Sequence, residues 1–403
     1  MELFWLEHKK LWRKKIVKIC VLLCFVYYVI FGSILSFQWF SFGSSDDYTS
    51  AFGNNFDGYT VIKDSQEYAL SFGGELTDET LQQIVSDYQQ MEADGMEEEL
   101  EKTDWQIVNS WLGTLYPELR DTSNYKTMIS YVDPDKLTGF YERRQQALDE
   151  FLEVSGQVGA EKEFLHQIER KVEKPFHYEW VEGWSTLLGS MVADLGVVMA
   201  LFLGIVLSSL FAGEWHDNTS ALVLTTRNGW GKIALAKILT GLAFTVELFA
   251  LLAVSSVISQ LFFMGTAGWD MPIQNIKLIA VAPMNMLQAE IYEYAFVLLG
   301  AIGFAGIVMF ISAAVKNNVL TLLLSLAIVY GPMMIAEYLP YGMQKALDLI
   351  PLVGSSTDIF RTNTFRIFGK LIWSPYLLIT IPVLIGILCM PFAIKSWSRR
   401  MKA

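Results

Sequence analysis

Cysteine and histidine are scarce: three cysteines and four histidines occur in 403 residues. Cys20, Cys24 and Cys389 all fall inside long apolar runs, so the polar part of the chain has no disulfide and must be held by its own core. His8, His166, His177 and His216 form no His-Glu-x-x-His pair, which leaves a zinc protease or a histidine-based catalytic centre without support. No Gly-x-x-x-x-Gly-Lys loop occurs to cradle phosphates, because Gly231-Lys232 and Gly369-Lys370 both lack the earlier glycine. No basic stripe interleaved with aromatics suggests nucleic acid. An enzyme is not expected, and no cofactor is expected to bind this chain.

What the chain has is apolar length. Hydrophobic residues make up 53% of it, above the roughly 45–50% usual for soluble domains. The excess sits in six runs near the roughly 20 residues a helix needs to cross a hydrocarbon core. They are Val17–Phe42, Leu187–Phe211, Ile238–Met264, Ala295–Val315, Val319–Leu339 and Pro375–Ile394. The first follows a basic start but is too long, and lacks the small-residue cleavage site, for a signal peptide; it reads as a retained anchor. The predicted fold is an α-helical integral membrane protein, with six transmembrane helices and an α+β extracellular domain between the first and second.

Charge sets the orientation. Lys9, Lys10, Arg13, Lys14 and Lys15 precede the first run, and Lys395, Arg399, Arg400 and Lys402 follow the last. Basic flanks stay inside, so both termini are expected in the cytoplasm of a multi-pass cell-membrane protein. One loop opposes this: Pro340–Ser374 would lie outside yet holds Lys345, Arg361, Arg366 and Lys370, and interfacial or re-entrant helix is expected there. Residues 43–183 carry 30 acidic and 11 basic side chains, a net −19, against +7 for the remainder. Such a field would concentrate cationic ligands or merely keep an exposed domain soluble. The acidic run Met91–Glu101 fits a solvated face.

Within 43–183, Tyr59–Leu70 alternates like a strand. Thr77 can cap a helix whose first turn has Asp78 and Glu79 and whose apolar face is Leu81, Ile84 and Tyr88. A second helix is expected over Asp135–Glu153, with Phe140, Ala147, Leu148, Phe151 and Leu152 as its stripe, continued over Gln157–Val172. Phe176, Tyr178, Trp180 and Trp184 then suggest an aromatic belt at the mouth of the second span.

Residues 212–237 interrupt two spans with charge, amide and hydroxyl groups. Asp217, Asn218, Thr219 and Ser220 offer helix caps, and Ala221, Leu222 and Leu224 an apolar patch, so a short surface helix facing a partner is expected. Here the chain resembles the permeases of type-2 ABC exporters, whose second span commonly exits through a Glu, a small polar pair, a Leu-rich turn with Thr-Pro and Arg, and a Lys opening the third span. Glu214, Asn218-Thr219, Leu222 to Thr226 and Lys237 follow that order. The Pro is missing, Arg227 comes about three residues early, and Trp230 occupies the usual Arg place. Residues 1–15, with Glu7-x-Lys9-Lys10-x-x-Arg13-x-Lys15, resemble the family's amphipathic elbow helix, its Phe4, Leu11, Trp5 and Trp12 facing lipid.

The resemblance implies a five-helix membrane region over 184–403. It also implies a separate ABC ATP-binding subunit, which binds ATP and Mg, and a second permease copy or sister permease. The coupling residues would be Glu214, Asp217, Asn218, Thr219, Leu222, Thr225 and Arg227. The expected activity is export of a hydrophobic, peptide-like or drug-like substrate. Ionisable residues inside spans are expensive, so Asp194 and Glu247 read as pathway groups or internal polar ties. Two alternatives stay open, an ion-extruding ABC pump relying on Asp194 or Glu247, and a membrane sensor with an acidic extracellular domain.

Overall fold

In the computed structural model, the structure describes residues 2–37, 66, 73–95, 105–121, 127–217, 219, 231–354 and 362–399. Long apolar stretches propagate helix because every backbone hydrogen bond is closed inside the segment. Among the described residues, five helices are long and apolar enough to cross a membrane. They are α7 (Glu182–His216), α8 (Lys232–Met264), α9 (Met286–Val315), α10 (Asn318–Ile335) and α12, which runs over Ser374–Arg399. The first expected span, Val17–Phe42, corresponds to the 23-residue helix α2 (Lys15–Phe37), preceded by α1 (Glu2–Arg13); residues 38–42 of that span lie outside the described residues.

α9 and α12 cross closely because glycines face each other. A Cβ on Gly303 would collide with the Pro382 carbonyl, and one on Gly306 with the backbone of Gly386. Small residues at such a crossing let two backbones approach, which is how apolar helices gain packing without a hydrophobic driving force. α7 is fixed to α9 by wholly buried Ser312, whose Oγ donates to the Ser208 carbonyl at 2.7 Å and accepts from the Ala212 amide at 3.0 Å.

The acidic region packs as a mainly helical domain. α3 (Asp78–Ala93) starts where Thr77 accepts from the Thr80 amide, and it buries Leu81, Ile84 and Val85. α4 (Trp105–Leu115), α5 (Phe140–Val154) and α6 (Ala160–Glu169) complete it. α5 begins at Phe140 rather than at Asp135, because Gly139 takes a left-handed φ of 73° and breaks the stretch. Its stripe buries Phe140, Leu148 and Leu152 but leaves Phe151 exposed. The β content described there is one two-residue antiparallel ladder, β1 (Gly74–Glu75) with β2 (His177–Tyr178); of the expected strand Tyr59–Leu70, all but Gln66 lies outside the described residues.

Three further expectations are corrected. Phe176, Tyr178, Trp180 and Trp184 are not a lipid-facing belt: all four are buried in the domain core, where Trp111 meets Tyr178 edge-on at 5.5 Å. The helix placed at Ala295 begins at Met286, because Asn285 and Gln288 form a reciprocal capping box. Third, the core is not built from 43–183 alone. Residues 265–285, between α8 and α9, contribute Met271, Ile273, Leu278, Ala280, Val281 and Ala282.

Their carbonyls are partners too: Trp111 Nε1 donates to Asn275 at 2.8 Å, and Arg144 Nε donates to Leu278 at 2.7 Å. Arg144 is wholly buried and is neutralised by Glu169 at 2.6 Å, so its guanidinium stitches three segments. Burial opposes the Glu169 charge, but hydrogen bonds from Lys174 and Arg144 hold the carboxyl below the usual carboxylate range.

The 340–374 region holds a short helix, α11 (Tyr341–Leu347), and a hairpin of β3 (Thr364–Ile367) with β4 (Lys370–Trp373). Two of its basic residues have local uses. Arg366 pairs with Glu161 of the acidic domain at 2.6 Å, Lys345 donates to the Thr364 carbonyl at 2.8 Å, and Thr364 Oγ1 donates to Gln157 at 2.8 Å. The loop that opposed the charge rule therefore lies against the acidic domain.

Candidate functional site

The site forms where the interrupted segment leaves and re-enters the bundle. On α1, Glu7 and Lys10 share one face and His8 with Trp12 the next, while Lys14 follows in the bend between α1 and α2. Glu214 lies in the last turn of α7 and Lys237 in the second turn of α8. Lys10 Nζ reaches Glu214 Oε1 at 2.6 Å, and Lys237 Nζ reaches the same oxygen at 2.8 Å. Lys237 also pairs with Glu7 at 2.8 Å, and Thr219 Oγ1 donates to the other Glu214 oxygen. Lys14 donates to Ser209 Oγ at 2.9 Å.

Glu214 and Lys237 are almost fully withdrawn from water, with side chains 4% and 2% exposed. Isolated charges there would be prohibitive, so the alternating network is what permits them. Burial opposes the Lys10 charge, yet the Glu214 hydrogen bond and field outweigh it and raise its pKa. Lys14 moves the opposite way, lowered by burial and then by the neighbouring positive charges of Lys237 and Lys10.

Beside the network, Trp397 meets Phe211 edge-on at 5.5 Å and Trp215 at 6.2 Å, and Lys316 lies 4.1 Å over the Trp215 ring. The ends of α7, α9 and α12 are thus joined by aromatic packing as well as by charge.

Among the residues singled out by sequence, Glu214 and Thr219 meet directly, and Lys237 joins them. Asp217 is exposed at the rim, 3.1 Å from His216. Asn218, Leu222, Thr225 and Arg227 lie outside the described residues. Glu247 is elsewhere on α8 and is bound by α1, accepting from Trp12 Nε1 at 3.0 Å and contacting His8 Nε2 at 3.1 Å. Asp194 lies apart, beside the hydroxyls of Tyr27 and Tyr28 on α2.

Sequence reading assigned Glu7 and Lys10 to an interfacial helix and missed their part in the buried network. The signal was present as Glu7, Lys10 and Lys14 at i, i+3 and i+7, but nothing local names their partners. It also missed Glu290 and Glu293, which are buried in the first turns of α9. Ser256 and Tyr294 meet nearby at 2.6 Å across α8 and α9. The pattern Asn285-x-x-Gln288, a helix-start signature, would have brought both carboxylates into the helix.

Among the described residues, no group of three or more His, Cys, Asp or Glu side chains is arranged to hold a metal ion. The fold and this site define a mostly helical chain with, among the described residues, five apolar helices of membrane-spanning length. No family model, curated protein or solved structure matches it.

Proposed function

We propose that this chain is the permease subunit of an ATP-driven ABC exporter, with the acidic domain outside the cell and both termini in the cytoplasm. The observation that carries the reading is the network of Lys10, Glu214 and Lys237, which fastens both helices flanking the 218–230 segment to α1. A force applied to that segment would move α7, α8 and α1 together, because separating them strands buried charge. This is what coupling to a partner ATPase requires. ATP and Mg are bound by that separate subunit, and a second permease copy or sister chain completes the pathway. A hydrophobic, peptide-like or drug-like substrate suits the apolar bundle.

The pairing of Arg366 with Glu161 supports the orientation, since it gives one of the basic residues of the 340–374 loop a reason to lie beside the acidic domain. Affinity purification of the tagged full chain from its native membrane should retain an ABC ATPase. Asp217→Lys and Arg227→Glu should lower substrate-stimulated ATP hydrolysis in the reconstituted complex while leaving expression and melting unchanged. An unchanged coupling ratio for both variants would overturn the reading.

A further inference from the structure

A cleft of about 360 Å³ opens where residues 171–177 of the acidic domain meet residues 270–288, the segment that leads into α9. That volume lies at the small end of the roughly 300–1,000 Å³ common for ligand sites. Its lining combines charges of both signs: Lys171 on one side of the ledger, Glu173 and Asp270 on the other. Opposite charges around one concavity ordinarily neutralise each other, but these three make no ion pair among the described residues. His177, also in the lining, is already engaged by Glu179 at 2.9 Å.

The amides are equally suggestive. Gln274 is wholly buried, and its Nε2 donates to the carbonyls of Ala280 at 3.0 Å and Ala282 at 2.9 Å, which fixes the orientation of the group. Its Oε1 is left without a hydrogen-bond partner, which is costly in a native interior. Asn285 and Gln288 use their side-chain oxygens in the capping box, so each retains its NH₂ as a donor. The backbone amides at the start of α9 are already used, those of Met286 and Leu287 donating to Met271 and Trp269, so recognition falls to side chains.

From these groups we infer that the cleft binds a compact zwitterion, a free amino acid or very short peptide, with its ammonium toward Glu173 and Asp270 and its carboxylate toward Lys171. Gln274 Oε1 supplies an acceptor, Asn285 and Gln288 supply donors, and Met284 adds apolar wall. Occupancy would brace the acidic domain against the first turn of α9, since the lining includes that helix's own cap. The inference is independent of the export reading; it stands equally for a sensor.

The full-length chain in detergent micelles would be titrated calorimetrically with leucine, dialanine and dileucine, beside N-acetyl-dileucine and dileucine amide. At least one zwitterion should bind saturably, and blocking either terminus of dileucine should weaken its binding about tenfold, as expected for losing a hydrogen bond to a charged group. Lys171→Gln should cancel the penalty of amidation, and Asp270→Asn with Glu173→Gln should cancel that of acetylation. These positions are exposed, so the variants should melt like the wild type. No saturable binding of any zwitterion at about millimolar concentration would overturn the assignment. So would blocked and free peptides binding alike.

Discussion

Lys237 Nζ lies 2.8 Å from Glu214 Oε1, both side chains almost fully buried, although 22 residues separate them in sequence, most of them in the interrupting segment. A buried pair of this kind is costly to break and cheaper to replace. Glu214→Ala should therefore destabilise the chain, though by less than the about 3–5 kcal/mol of a fully stranded charge, because buried Lys237 keeps Glu7 as a partner. Glu214→Leu combined with Lys237→Met should recover most of that loss. Thermal melting of the two variants in detergent decides the point; equal losses in both would mean that the pair is not the stabilising unit.

Glu247 should act as an anchor for α1. Replacing it with Gln preserves an acceptor for Trp12, whereas Leu removes it. In a chain whose native cysteines are replaced, Leu11→Cys is buried and should resist a membrane-impermeant maleimide. Glu247→Leu should raise the labelling rate several-fold and Glu247→Gln should not. Unchanged protection in both would show that packing alone holds α1.

An isolated segment of residues 43–183 should fold poorly, since it lacks the 265–285 stretch that supplies core side chains and the carbonyls bound by Trp111 and Arg144. Joining residues 265–288 to its end through a flexible linker should restore cooperative melting by circular dichroism. Cooperative unfolding of 43–183 by itself, at the same temperature as the joined form, would contradict this.

The acidic domain should lose stability in acid through Glu169. Its carboxyl pKa is depressed in the folded state, so its contribution is fully present above the unfolded carboxylate value and disappears as pH falls through the folded one. Glu169→Gln should be less stable near neutrality and should show a smaller further loss on acidification. Parallel melting curves for variant and wild type across that window would exclude Glu169 as the source.

The exposed pair Arg366–Glu161 should matter little. At the surface such pairs contribute about 0.2–1 kcal/mol, so Arg366→Gln should barely shift the melting midpoint. Gln157→Leu should cost more, because it leaves the buried Thr364 hydroxyl without its acceptor. The ordering of the two midpoints tests the difference.

Local pattern was enough for the start of α3, where Thr77 precedes Asp78 and the apolar spacing of Leu81 and Ile84, because a cap and a stripe are written within a dozen residues. It was enough for five helices of spanning length, whose apolar runs need no partner to be recognised. It failed at Trp180 and Trp184, since an aromatic next to a span has the same sequence signature whether it meets lipid or a domain core.

By itself, the sequence determined which segments must be helical and apolar, and where acidic and basic side chains accumulate; periodicity and composition are local properties. It also placed Glu214 and Lys237 at the two ends of the interrupted region. Only the tertiary structure decided that these two residues pair with each other and with Lys10 and Glu7 respectively, that Glu247 is held by Trp12, and that 265–285 completes the acidic domain. Each outcome depends on the rotation and crossing of whole helices. That geometry is set by many distant contacts, including the glycine crossing of α9 and α12, and no single stretch of chain encodes it.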